Sequence, residues 1–215
     1  MSDNFCNVYK KTKSPIAVAL DVILNVALVL IIALLCVVIL YEPILVDGES
    51  MLPTINDGDR VAISRLDKDY KRGDIVVARK GEHYIIKRVV AVEGDVIAFA
   101  WVGGEVKTFI NDMNAPVDEP YINEAMRNIS SSHWKGVTIA NSADDLISGE
   151  YGITVGENQL FLMGDNRNHS TDSRVDGVYE ESSIKGKMAF NITESKAWSF
   201  IFDIIQTNKE STKND

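Results

Sequence analysis

Two residues in this sequence are of types, and in settings, that could do covalent chemistry together. Ser50 lies in Gly48-Glu49-Ser50-Met51-Leu52-Pro53-Thr54, and Lys87 lies in Tyr84-Ile85-Ile86-Lys87-Arg88-Val89-Val90. A serine hydroxyl attacks a carbonyl only when a neighbouring base takes its proton, and a lysine can be that base only if its ammonium form is destabilised. Burial among apolar side chains does this, lowering a lysine pKa by up to ~3–5 units at full burial. Alternation along a strand puts Ile85, Lys87 and Val89 on one face, expected to be buried, and Arg88 on the other, expected to be solvated. Taken singly, both residues have ordinary explanations: a lysine usually snorkels at the surface, and a serine between Gly48 and Pro53 is usually a turn residue. A third segment changes the balance. Gly164-Asp165-Asn166-Arg167-Asn168-His169-Ser170-Thr171-Asp172-Ser173-Arg174 is a polar loop, dense in hydrogen-bond formers, directly after the apolar run 160–163.

The elements that must position these residues begin with a membrane segment. Residues 16–41 read IAVALDVILNVALVLIIALLCVVILY, and 22–41 carry no charge and only Asn25 as a polar interruption. About 20 such residues span a bilayer. A cleaved signal peptide is the competing reading. The run is longer than an ordinary signal core, however, and Tyr41-Glu42-Pro43 follows it instead of a small-x-small exit, so a retained transmembrane helix is expected. Lys10, Lys11 and Lys13 flank it, which places residues 1–15 in the cytoplasm and the remainder outside. Nine steps separate Tyr41 from Ser50, so Ser50 lies within roughly 30 Å of the end of the anchor, at ~3.3–3.6 Å per residue.

Both cysteines, Cys6 and Cys36, precede the outer region, which is therefore free of disulfides and of a cysteine zinc site. After residue 41 there remain 19 Lys and Arg against 29 Asp and Glu, a balance that argues against a nucleic-acid surface. No metal or organic cofactor is implied.

From Ile44 onward short β-branched runs alternate with turn signals, so a mainly antiparallel β domain is expected. Strands are read at 60–65, 74–78, 83–93, 96–101, 106–111, 160–163 and 186–192, with Gly103-Gly104 as a hairpin turn. Residues 42–111 and 158–196 form the expected catalytic core. Residues 112–157, rich in Asn, Ser, Asp and Glu, read as an inserted cap. Residues 197–215 comprise an aromatic segment, too short to span a membrane but able to touch one, and a polar tail that reads as disordered.

Together the anchor, the Ser-Met-x-Pro-Thr segment, Gly73-Asp74-Ile75-Val76-Val77, the Lys87-Arg88-Val89 strand ending at Glu93-Gly94-Asp95, and the Gly-Asp-Asn-Arg loop closing on Ser-x-Asp-Ser-Arg resemble the type I signal peptidases of bacteria. The resemblance implies a membrane-bound serine endopeptidase of the bacterial plasma membrane that removes signal peptides from exported preproteins after Ala-x-Ala sites. It implies Ser50 as nucleophile, Lys87 as general base, Ser170 as the hydroxyl that orients the lysine, and Asp165, Asp172 and Arg174 as charged residues that hold the loop as a structural ion pair. The backbone N–H of Ser50 would be one oxyanion donor. Gly48 stands where some members have a second, serine donor, as in many Gram-positive members. Substrate pockets would involve Val46, Met51, Ile55, Ile85 and Ile86, with the signal peptide added beside strand edges. Membrane lipid and preproteins are the implied partners.

Other readings are weaker. Ser132-His133-Trp134-Lys135 and Ser182-Ser183-Ile184-Lys185 fit Ser-x-x-Lys, but no K-T-G or S-D-N accompanies them. His83, His133 and His169 would permit a Ser-His-Asp triad, although the eukaryotic relatives carry histidine where this chain has Lys87. The alternatives on the same fold are a membrane-anchored assembly factor, which would lack the reactive pair, and a dedicated, for example pilus-related, processing protein. A self-cleaving repressor would bring a DNA-binding segment in place of an anchor.

Overall fold

The computed structural model describes residues 14–127, 137–148 and 151–194. The Lys10, Lys11 and Lys13 cluster, Ser132 to Lys135 and the segment 197–215 lie outside the described residues. The chain divides into two compact units, Met1–Leu40 and Tyr41–Asp215.

In the first unit, helix α1 spans Pro15–Leu40. Ser14 starts it, its hydroxyl accepting from the Ala17 N–H at 3.2 Å, and Pro15 sits at the first helical position, where a missing N–H costs nothing. None of its side chains is buried within the chain, and it is long and apolar enough to cross a membrane. The helix ends one residue before the sequence suggests. Pro43 disfavours helical geometry at Glu42, and the chain enters strand β1 at once, at Tyr41–Leu45.

The second unit is built from two sheets. After β1 come β2 (Arg60–Ser64), β3 (Ile75–Lys80), β4 (His83–Ala91), β5 (Val96–Val102), β6 (Glu105–Ile110), β7 (Ile139–Ala140), helix α2 (Ala143–Ser148), β8 (Ile153–Thr154), β9 (Gln159–Met163), the one-turn helix α3 (Ser173–Asp176), β10 (Tyr179–Glu180) and β11 (Ile184–Asn191). The larger sheet has the order β1-β2-β11-β3-β4-β9-β10 and is antiparallel throughout. Pro43 is tolerated in β1 because that strand forms one edge. The smaller sheet runs β6-β5-β7, with β8 also on β5 and β7 parallel to it.

The expected fold class, mainly antiparallel β behind one apolar helix, is the one observed, and each of the seven strands read from the sequence overlaps an observed one. β7 and β8, from the segment read as an insertion or cap, pair with β5, and α2 packs beside them. Ala98, Ala100 and Phe109 pack on Ala140 and Leu146, while Ile97 and Phe99 on the other side of β5 join Val90, Phe161 and Met163 of the larger sheet. The Phe99 and Phe161 rings, 6.1 Å between centroids, join the two sheets. Truncating Phe99 to Ala is expected to destabilise the protein by about 3–5 kcal/mol. Chemical denaturation in detergent measures this, and an unshifted midpoint would show that the sheets do not share this core.

Candidate active site

Ser50 follows β1 in a single helical turn, closed by the Leu52 N–H to Glu49 O at 3.2 Å and the Ile55 N–H to Met51 O at 3.0 Å. Met51 and Ile55 are fully buried with Val46 and Val61, so the turn is pinned from below by its own apolar residues. Lys87, opposite Val76 of β3, is 4 % exposed. Its Nζ lies 2.6 Å from Ser50 Oγ and 3.0 Å from Ile86 O. Burial pulls the lysine pKa down from 10.5 to about 8; Asp172 opposes the shift, while Lys80 and Arg174 reinforce it. Buried as it is, with only short polar contacts, the amine can exist in both protonation states near neutrality.

The neighbouring arginine departs from the expectation. Arg88 is buried, not solvated, because the inner half of β4 is covered on both faces, by the core shared with the smaller sheet and by the 164–174 loop. Arg88 is the partner of Asp165, with Nε–Oδ1 at 2.8 Å and a terminal nitrogen to Oδ2 at 2.6 Å, and it donates to Gly73 O at 2.7 Å. Thr54 Oγ1 donates to the same carboxylate at 2.6 Å. Asp172 pairs separately with Arg174, through contacts of 2.8 Å to each carboxylate oxygen. Burial alone would raise the Asp172 pKa, but Arg174 and the Gly164 N–H hold it below the ordinary carboxylate range. The loop is thus held by two ion pairs, where one was expected.

Ser170 also differs from its expected contact. Its hydroxyl donates to Asp172 Oδ2 at 2.7 Å, so its hydrogen bond joins the ion pair and not the lysine. It still borders Ser50. A Cβ added to Gly164 would lie 2.3 Å from Ser170 Oγ and 2.4 Å from Ser50 O, so only glycine fits between them. Asn166 completes the grip, its N–H donating to Ser50 O at 3.0 Å and its side chain to Glu49 O at 3.1 Å.

Gly48 adopts a φ of +109°, which other residues avoid, so a serine there would be strained. Its N–H donates to Asp57 Oδ1 at 2.8 Å, which removes it as a ready donor toward Ser50. Among the described residues, no backbone carbonyl takes the Ser50 N–H.

A cavity of about 170 Å³ adjoins the pair, between Ile44, Leu45, Val46 and Asp47 on one side and Tyr84, Ile85, Ile86 and Lys87 on the other. Val46, Ile85 and Ile86 line it; Met51 and Ile55 lie in the apolar cluster that Val46 and Ile86 share. Sequence reading passed over Ile44, Leu45, Asp47, Tyr84, Thr54 and Asn166. Asn166 and Thr54 lie inside the quoted motifs, and that proximity is the signal that could have found them.

His83 and His169 are exposed. Lys185, of the second Ser-x-x-Lys match, reaches Glu42 at 2.7 Å. Among the described residues, no three of His, Cys, Asp and Glu converge as a metal-ligand set.

The chain is similar in sequence to known proteins. The family model "Signal peptidase, peptidase S26" matches residues 19–193, and the chain belongs to that family. It is 33% identical over 183 residues to signal peptidase I U of Bacillus subtilis, covering 82% of this chain and 87% of the relative. It is 29% identical over 202 residues to signal peptidase IB of Staphylococcus aureus, covering 91% and 97%. A crystal structure of a signal peptidase I from Enterococcus faecalis aligns with 56% of this chain and 97% of its own at 23% identity, with a TM-score of 0.38.

Two outcomes follow from the geometry. Below pH 8 the folded protein bears a buried ammonium that the unfolded chain carries in water, so Lys87→Met should raise stability at pH 7 by about 3 kcal/mol. As pH rises through about 8 toward 10.5 the folded lysine sheds its proton first, so the wild type gains stability and the advantage of the variant shrinks. Denaturation at pH 7 and pH 10 tests this; equal midpoints at both would mean the amine is solvated. Gly164→Ala should separate Ser50 from Lys87, read as loss of activity with the fold retained by circular dichroism.

Proposed function

We propose that this protein is a membrane-bound serine endopeptidase that removes signal peptides from exported preproteins, with Ser50 as nucleophile and Lys87 as general base. The observation that carries the reading is the 2.6 Å contact between Ser50 Oγ and a buried Lys87 whose pKa is pulled down to about 8. Neutral Lys87 takes the Ser50 proton as Oγ attacks the scissile carbonyl. The resulting oxyanion is met by the Ser50 N–H, a donor of the kind worth ~3–4 kcal/mol of barrier. The ammonium then protonates the leaving amine, leaving an ester on Ser50. Lys87 next activates a water, which hydrolyses the ester and releases the signal peptide with a free carboxylate.

The cavity of about 170 Å³ beside Ser50, lined by Val46, Ile85 and Ile86, is read as the place where a side chain of the substrate sits, and cleavage after small residues such as Ala is what the family resemblance implies. β1 is an edge strand, and β9 pairs with β4 only from Arg88 onward, so the Ile85–Lys87 stretch has an edge free of β9. An extended peptide laid between these edges gains backbone hydrogen bonds on both sides. Asp165, Asp172, Arg174 and Ser170 are read as the residues that hold the loop against the Ser50 turn. The second oxyanion donor is read as a water or backbone group other than the Gly48 N–H. Helix α1 is read as a single anchor in the plasma membrane, with the N-terminus cytoplasmic because of Lys10, Lys11 and Lys13.

The detergent-solubilised protein is expected to cut a preprotein whose signal ends in Ala-x-Ala directly after the last Ala, as mapped by mass spectrometry. Ser50→Ala and Lys87→Met should be inactive yet folded. Failure of folded wild type on several such substrates would move the assignment to a dedicated client or to the assembly-factor reading. The kcat/KM profile should show an acid limb with an apparent pKa of about 8, falling roughly tenfold per pH unit below it. A flat profile from pH 6 to 9 would remove Lys87 as the base.

A further inference from the structure

We propose that Tyr121 and Glu119, in the segment after β6, are positioning residues for the Ser50–Lys87 pair, acting through Arg88 and Arg167. This rests on the reading of that pair as the reactive one. The segment was read as part of a polar cap, yet it supplies an aromatic face and a carboxylate that close the back of the site.

The in-plane N–H groups of Arg88 are committed to Asp165 and Gly73 O, which leaves the flat face of the guanidinium free. Tyr121 covers that face, its ring centroid 4.0 Å from Arg88 Cζ. In this desolvated setting a cation held on the negative face of a ring is fixed in tilt as well as in place. Arg88 cannot swing its guanidinium plane about the Cδ–Nε bond without leaving the ring, and Asp165 and Thr54, four residues from Ser50, would move with it.

Glu119 secures the other half. It accepts from Tyr121 Oη at 2.9 Å and pairs with Arg167, with one contact at 2.9 Å. The side chains of Arg167 and Glu119 are 1 % and 9 % exposed. Burial by itself would raise the Glu119 pKa, but Arg167 holds it below the usual range, so the pair stays charged. Arg167 Nε donates to Gly164 O at 3.0 Å, and Gly164 is the glycine packed between Ser50 O and Ser170 Oγ. Two chains of contacts therefore leave Glu119 and Tyr121 and converge on the Ser50 turn, one through Arg88, Asp165 and Thr54 and the other through Arg167 and Gly164.

The test uses the full chain in detergent, with Tyr121 replaced by Phe, by Leu, and by phenylalanines of increasing ring fluorination. Fluorination weakens the negative face while keeping the shape. Tyr121→Phe should keep kcat within about threefold. Tyr121→Leu should lose kcat on the order of tenfold or more, with KM nearly unchanged, and fluorination should lower kcat stepwise at a constant melting temperature. Unchanged kcat in Tyr121→Leu overturns the proposal. So does a loss that follows the unfolded fraction and ignores fluorination.

Acetylation of Ser50 by p-nitrophenyl acetate is followed in parallel by intact mass. If the wild type is acetylated but cuts no preprotein, the peptidase reading fails, and the ratio of acetylation rates between wild type and Tyr121→Leu still decides the positioning role. A wild type that is neither acetylated nor proteolytic overturns both.

Discussion

The β-rich second unit is organised about one contact, a lysine amine held out of water 2.6 Å from a serine hydroxyl. In water that amine would keep its proton across the neutral range and could take none from the serine. Placing Lys87 opposite Val76 of β3, where the buried half of β4 begins, removes its hydration, and the turn that carries Ser50 is pinned by Met51 and Ile55 so that the hydroxyl arrives from the side. The two-sheet architecture is what makes that buried half dry on both faces.

Desolvating one cation beside several others requires counter-charges nearby, and the 164–174 loop supplies them. Asp165 and Asp172 are each hydrogen-bonded to an arginine, and both arginines are spent on those bonds and on neighbouring acceptors. Breaking a buried pair of this kind costs about 3–5 kcal/mol, chiefly by leaving one charge alone. The ion pairs therefore do not attract a substrate. They fix the loop whose backbone, through Asn166 and Gly164, meets the carbonyl of Ser50.

The strands were legible because β-branched runs and the turn signals between them mark them directly. Ser50 and Lys87 were legible because each is a reactive type in an apolar setting, with a polar loop further on. The burial of Arg88 was not, since alternation assumes a sheet with one wet face, and the layer covering the second face comes from segments with no periodicity, including β7 and β8 of two residues each. The partner of Ser170 was not legible for a related reason. In a loop so rich in acceptors, only the folded path decides that Asp172, and not Lys87, receives the hydroxyl. Tyr121 carries no local signal at all, because its role depends on an arginine 33 positions earlier.

The interdependence of these charges restricts how the sequence can drift. Asp165 and Arg88, like Asp172 and Arg174, each leave a stranded buried ion when either is exchanged alone, so descent with function retained must change such couples together or leave them untouched. His169, exposed in the same loop, is under no such restriction. Within eleven residues, positions 164–174 thus combine sites that drift freely with sites that move only in pairs, and lineages diverging from this protein should differ first at the former.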